Sequence, residues 1–177
     1  GESAGRLARR SLGEGGRAVT RTGARAGDWI YVTGSLGGSL LGHHHSFTPR
    51  LAEGAWLAGR TEVRAMMDVS DGLAKDLNSL TPDGLVPALD ARAVPVSAAA
   101  RRRARTTKKT PLAHALGDGE DYELLIVVRM GAEKFERDWR KRFPKLPLSR
   151  LGRFVRKNQL PAGALRLADY HGYEHLR

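Results

Sequence analysis

The chain has 177 residues, 30 of them Lys or Arg and 19 Asp or Glu, for a formal net charge of +11, with 41% apolar and 6% aromatic residues and no cysteine. Such a length fits one domain with a real core and a loose basic arm, while the missing cysteines exclude a disulfide framework, a thiolate metal centre and a thiol nucleophile. No apolar run nears the roughly 20 residues that cross a bilayer and no signal-peptide core opens the chain, so a soluble, cytoplasmic protein with no membrane partner is expected.

The positive charge is concentrated in two blocks. Arg6, Arg9, Arg10, Arg17, Arg21 and Arg25 lie among glycines, and Arg101-Arg102-Arg103-Ala104-Arg105 with Lys108-Lys109 sits mid-chain. Neither block is interleaved with aromatic side chains, which single-strand binders add to charge, so solvated surface is favoured over nucleic-acid contact. The chain opens on Gly1 rather than Met. Residues 1–25 read as a Gly/Arg-rich linker or arm joined to something upstream, with an Arg-rich, acid-poor transit segment as the other reading. The domain proper is expected over residues 26–177.

In chain order, Asp28 to Thr33 is a β-rich run ending in a glycine turn over Gly34, Gly37 and Gly38. A helix follows, with Thr48 as N-cap, Pro49 at the first helical position and Leu51, Ala55 and Ala58 on one face. Ala65 to Val69 is a short buried strand, and a helix carrying Leu73, Leu77 and Leu80 starts at Ser70 or Asp71. Leu85 to Val96 is extended, and Pro87 and Pro95 push it to an edge or loop. Ser97 to Arg105 reads as a basic helix, and a short helix follows Pro111. Gly117 to Asp121 breaks the pattern before Tyr122 to Val128, a strand apolar enough to be buried on both faces. Phe135, Trp139 and Phe143 mark one helical stripe, and Leu146 to Phe154 is the last strand. Alternating strands and helices favour helices layered on a sheet.

The chemistry concentrates in two acidic segments. In Met66-Met67-Asp68-Val69-Ser70-Asp71-Gly72-Leu73, two carboxylates three positions apart sit where a buried strand turns into a helix. That placement suits Mg²⁺ and phosphate together, since the ion takes one or two carboxylates and the helix start favours the anion. The competing reading is that Ser70 or Asp71 merely caps the helix and Asp68 is solvated. The second segment holds Asp118, Glu120, Asp121 and Glu123 within six residues. Their repulsion calls for a cation or a positive ligand, and the alternative is a solvated turn screened by nearby arginines. His43-His44-His45 diverges on any regular element and lacks a completing ligand, so a variable loop is favoured over a metal site.

Five segments, in order, resemble the C-terminal half of the thiamine-monophosphate kinases: Gly27-Asp28-Trp29-Ile30-Tyr31-Val32-Thr33-Gly34, Phe47-Thr48-Pro49-Arg50, Ala65 through Leu73, Gly119-Glu120-Asp121-Tyr122-Glu123-Leu124-Leu125, and Gly172-Tyr173-Glu174-His175. The wider superfamily includes aminoimidazole-ribonucleotide synthetase and other ATP-using enzymes. The resemblance implies an α+β domain with a mixed β-sheet and packed helices, of the aminoimidazole-ribonucleotide synthetase C-terminal type. It implies Mg²⁺-dependent transfer of the terminal phosphate of ATP to thiamine monophosphate, giving thiamine diphosphate.

On the same resemblance, Asp68 and Asp71 are magnesium ligands, Ser70 and Arg21 lie at the nucleotide, and Glu120 or Asp121 is the substrate-binding acid. Tyr173 lies near the aromatic contact to thiamine, whose thiazolium cation a carboxylate and an aromatic face would each attract. Family members carry an N-terminal domain that binds most of the magnesium and forms a homodimer interface, and this sequence lacks it. The chain is therefore expected to be the C-terminal piece of a longer enzyme, incomplete by itself. The rivals are a related synthetase with another phosphate acceptor and a non-catalytic basic nucleic-acid-binding module.

Overall fold

A computed structural model describes residues 19–37, 49–131 and 133–170 of the chain. Five strands, β1 (Trp29–Thr33), β2 (Val63–Asp68), β3 (Leu85–Leu89), β4 (Leu124–Val128) and β5 (Leu148–Arg156), form one sheet in the order β2-β4-β1-β5-β3. All four strand pairs are antiparallel. The mixed character expected of the sheet is confined, among the described residues, to one isolated parallel bridge between Leu36 and Val96.

The antiparallel pattern and the alternation of strands and helices have one explanation. β1 and β2 both run antiparallel to β4, and β1 and β3 both run antiparallel to β5. The first three strands therefore point the same way, joined by helical crossovers, and the last two slot between them in the opposite sense. In consequence the ends of β1, β2 and β3 and the starts of β4 and β5 share one end of the sheet.

Helices cover both faces. Ile30, Val32, Ala65, Leu125 and Val127 face α2 (Leu73–Leu80) and α4 (Pro111–Gly117), while Tyr31, Val63, Ile126 and Val128 face α1 (Leu51–Ala58) and α5 (Glu133–Arg142). β4, central and covered on both sides, has Leu125 to Val128 wholly buried, which is why its sequence is an unbroken apolar run. Each such side chain stabilises the fold by about 1.5–3 kcal/mol. On the α5 side, Phe135 and Trp139 are the buried stripe, and the Trp139 indole N–H donates to the Leu146 carbonyl at 2.9 Å. The basic helix α3 (Ala98–Arg103) is capped by the Ser97 hydroxyl, which accepts from the Ala100 N–H at 2.9 Å. β3 is an edge strand, as Pro87 predicted.

Three local expectations are corrected. α1 starts at Leu51 after an Arg50 that makes no side-chain cap, so Pro49 precedes the helix, and Thr48 lies outside the described residues. Its inner side is Leu57, joined by Trp56, not the Leu51/Ala55/Ala58 face; Leu51 is 56% exposed. The physical cause is the aromatic cluster on α5, where Trp56 meets Phe135 and Trp139 with ring centroids 5.9 and 5.8 Å apart. β4 starts at Leu124 rather than Tyr122, because Tyr122 holds φ at 52° and cannot extend the strand. Residues before β1 already pack: Ala24 joins the core and the Met66 N–H donates to the Thr20 carbonyl at 3.2 Å.

Candidate functional site

At the shared end of the sheet, the turn after β2 and the loop before β4 are stitched together by backbone. Val69 N–H donates to the Glu123 carbonyl at 2.8 Å, Tyr122 N–H to the Val69 carbonyl at 2.8 Å, and Glu120 N–H to the Ser70 carbonyl at 2.7 Å. Glycine makes the approach possible, since a Cβ on Gly119 would lie 2.5 Å from the Ser70 oxygen. The pairing holds Glu120 at φ 63° and Tyr122 at φ 52°. For non-glycine residues this is a sparsely populated conformation of the kind that clusters at functional sites.

Neither Ser70 nor Asp71 caps the helix that follows. α2 starts after Gly72, whose φ of 102° favours glycine and where a Cβ would press on the Leu116 and Gly117 carbonyls at 3.1 Å, and no side chain caps this helix. Asp71 is 44% exposed and pairs with Lys75 at 2.9 Å, and Asp68 and Ser70 are half-buried. The capping reading of Ser70 and Asp71 is thereby excluded. The carboxylate that organises the turn is Asp76, 4% exposed on the inner face of α2, whose Oδ2 accepts from Ser70 N–H at 2.8 Å and Asp71 N–H at 3.0 Å. Burial pushes its carboxyl up from 3.8 to about 6; the two N–H bonds oppose that rise, and the charges of Asp71 and Asp68 add to it.

The four acids of the second segment go separate ways, which relieves the repulsion that composition implied. Asp118, 4% exposed, meets the His114 Nδ1 at 2.8 Å and the Arg103 guanidinium at 2.9 Å. Asp121 accepts from the Gly37 N–H with both oxygens at 2.9 Å, tying the glycine turn after β1 to this loop. Glu123, 7% exposed, accepts from the Thr33 hydroxyl at 2.5 Å and from two Arg50 nitrogens. Glu120 alone stands exposed. Among the described residues the positive charge that meets this segment comes from Arg50 and Arg103, and burial of Asp118 and Glu123 rules out a uniformly solvated turn.

Asp68, Ser70, Asp71 and Glu120 thus lie on two loops paired through their backbones, and Asp121 is bonded by the Gly37 N–H. Arg21 is exposed in the segment running beside edge strand β2, next to the Thr20 that bonds Met66. Tyr173 and His43 to His45 lie outside the described residues. Among the described residues no three Asp, Glu or His side chains form a ready metal cage. An ion completed by phosphate oxygens and water needs only one or two carboxylates, and Asp68 and Asp71 fit that description. Sequence reasoning missed Asp76, Glu123 with Arg50, and the buried His114–Asp118 pair. For Asp76 there was a signal, an acid at an inward position of the Leu73/Leu77/Leu80 stripe.

No protein-family model matches the chain. It is 40% identical over 143 residues to the thiamine-monophosphate kinase of Rhodopirellula baltica, an alignment covering 79% of this chain and 44% of that protein. It is 36% identical over 135 residues to the thiamine-monophosphate kinase of Salmonella typhimurium, covering 64% of this chain and 40% of the relative. Among solved structures, AaThiL complexed with AMPPCP and TMP is similar with a TM-score of 0.67 at 26% identity, over 90% of this chain and 55% of that one. The chain spans less than half the length of these curated relatives.

Proposed function

We propose that this chain, a homologue of the thiamine-monophosphate kinases, is the C-terminal domain of such an enzyme and contributes its part of an ATP-dependent phosphotransferase site. The complete protein transfers the terminal phosphate of ATP to thiamine monophosphate, giving thiamine diphosphate. It works in the cytoplasm as a homodimer with an N-terminal domain upstream of this one. Among the described residues no helix is long and apolar enough to cross a membrane.

The observation that carries this reading is the pairing of the 69–70 and 119–123 backbones, with Asp71 freed from capping. Phosphoryl transfer asks little covalent chemistry of a protein; it asks for positioning and neutralised charge. In this reading Asp68 and Asp71 hold magnesium, which when bound neutralises the phosphate oxygens. Ser70, beside the start of α2, and Arg21 contact the nucleotide. Glu120, the exposed acid of the opposite loop, faces the cationic acceptor ring, with Asp121 behind it and Tyr173 supplying an aromatic face.

The test is to express the complete protein and follow thiamine diphosphate formation from ATP and thiamine monophosphate. Turnover by the complete protein, absent from the 177-residue chain, supports the assignment. Phosphorylation of another acceptor in preference to thiamine monophosphate would replace it with that of a related synthetase.

A further inference from the structure

Asp76 is a buried acid that the core does not need. It occupies an inward position of α2 between Leu73, Leu77 and Leu80, all essentially inaccessible to solvent, where an apolar side chain would avoid the cost of desolvating a charge. Its carboxylate also serves none of the helix's own first-turn amides. Among the described residues its donors, the N–H groups of Ser70 and Asp71, belong to the turn preceding the helix. The carbonyl side of that turn is fixed independently, by Glu120 N–H on the Ser70 oxygen at 2.7 Å. The turn is therefore gripped from both sides, its amides by Asp76 and its carbonyl by the opposing loop.

We infer that Asp76 is the positioning residue of the candidate site, holding the Asp68–Gly72 turn so that the Asp68, Ser70 and Asp71 side chains are presented together. The inference rests on the proposed nucleotide role of that turn, though its first test does not. Bonds to an ionised acceptor are roughly twice as strong as neutral ones, so Asp76→Asn, equal in shape and able to fold, weakens both contacts.

In the 177-residue chain, amide hydrogen exchange by NMR is expected to accelerate at least about tenfold at Ser70 and Asp71 in Asp76→Asn, with β4 amides unchanged. Unchanged exchange at those two amides, or an equal acceleration through Leu125 to Val128, overturns the inference. In the complete enzyme the same substitution should raise KM for ATP in magnesium buffer at least about fivefold and leave KM for thiamine monophosphate unchanged. A merely structural loss lowers the amount of active enzyme and moves neither KM, and that result also overturns the positioning role. A complete wild-type protein without thiamine-monophosphate kinase activity would instead remove the proposed function, with the exchange data still deciding what Asp76 does.

Discussion

Arg50 and Glu123 meet in a two-pronged ion pair, Nη2 to Oε1 at 2.7 Å and Nε to Oε2 at 3.0 Å, that fastens the start of α1 to the start of β4. The Thr33 hydroxyl completes the acid's shell, and Thr33 Oγ1 in turn accepts from the Leu124 N–H at 2.8 Å. Arg50→Ala would leave the mostly buried Glu123 without its cationic partner, a loss of about 2 kcal/mol or more in folding stability. Urea denaturation of the two chains measures it. A change below about 0.5 kcal/mol, the range of ordinary surface substitutions, would show the pair to be incidental.

Asp71→Asn should separate activity from stability. Its ion pair to Lys75 is on the surface, so its loss costs at most about 1 kcal/mol. Turnover of the complete enzyme should nevertheless fall at least about a hundredfold, through lost charge stabilisation. Steady-state kinetics beside a thermal melt tests both halves, and near-normal turnover removes Asp71 from the site.

Gly119→Ala probes the stitching of the two loops. The added methyl carbon would sit 2.5 Å from the Ser70 carbonyl, and backbone there cannot yield as a side chain tip would. The loops should part, and affinity for a non-hydrolysable ATP analogue in the complete enzyme should drop about tenfold, the equivalent of one charged hydrogen bond lost. Calorimetric titration gives the value; unaltered affinity would mean that the loops need not touch.

The elevated carboxyl of Asp76 makes a pH prediction. In the fold it titrates near about 6, against 3.8 in an unperturbed chain, so the folded state holds this proton more tightly than the unfolded one. Its contribution to stability is complete below about pH 4 and disappears as pH rises through 6, a swing of about 3 kcal/mol. Asp76→Asn cannot lose that proton. In metal-free buffer the variant should gain on the native chain by roughly that amount between pH 4 and pH 7. Denaturant midpoints at four pH values would reveal it, and parallel stability curves would refute it.

Much of the scaffold was legible because apolar periodicity is a local property. The unbroken run of β4, the Phe135/Trp139 stripe and the Pro87 edge each follow from a few neighbouring residues. The face of α1 was not, since in Leu51-Ala52-Glu53-Gly54-Ala55-Trp56-Leu57-Ala58 apolar residues occur all round the helix, and α5 decides which side turns inward. The start of α2 was misjudged because Ser70, Asp71 and Gly72 are all competent at such a position. The choice of Gly72 comes from its crowding against Leu116 and Gly117, contacts more than forty residues distant. Arg50 and Glu123 lie 73 positions apart, and only the strand order brings them together.

The two margins of the sheet differ from its interior in one respect that bears on assembly. β3 carries Pro87, which has no amide hydrogen to offer, and the outer rim of β2 is shielded where Met66 bonds Thr20 and Gly23 abuts the Arg64 carbonyl. A neighbouring polypeptide therefore meets poor terms for lengthening this sheet by one more strand. Among the described residues both margins are thus blunted, leaving the five-stranded layer a poor seed for continuous β-structure.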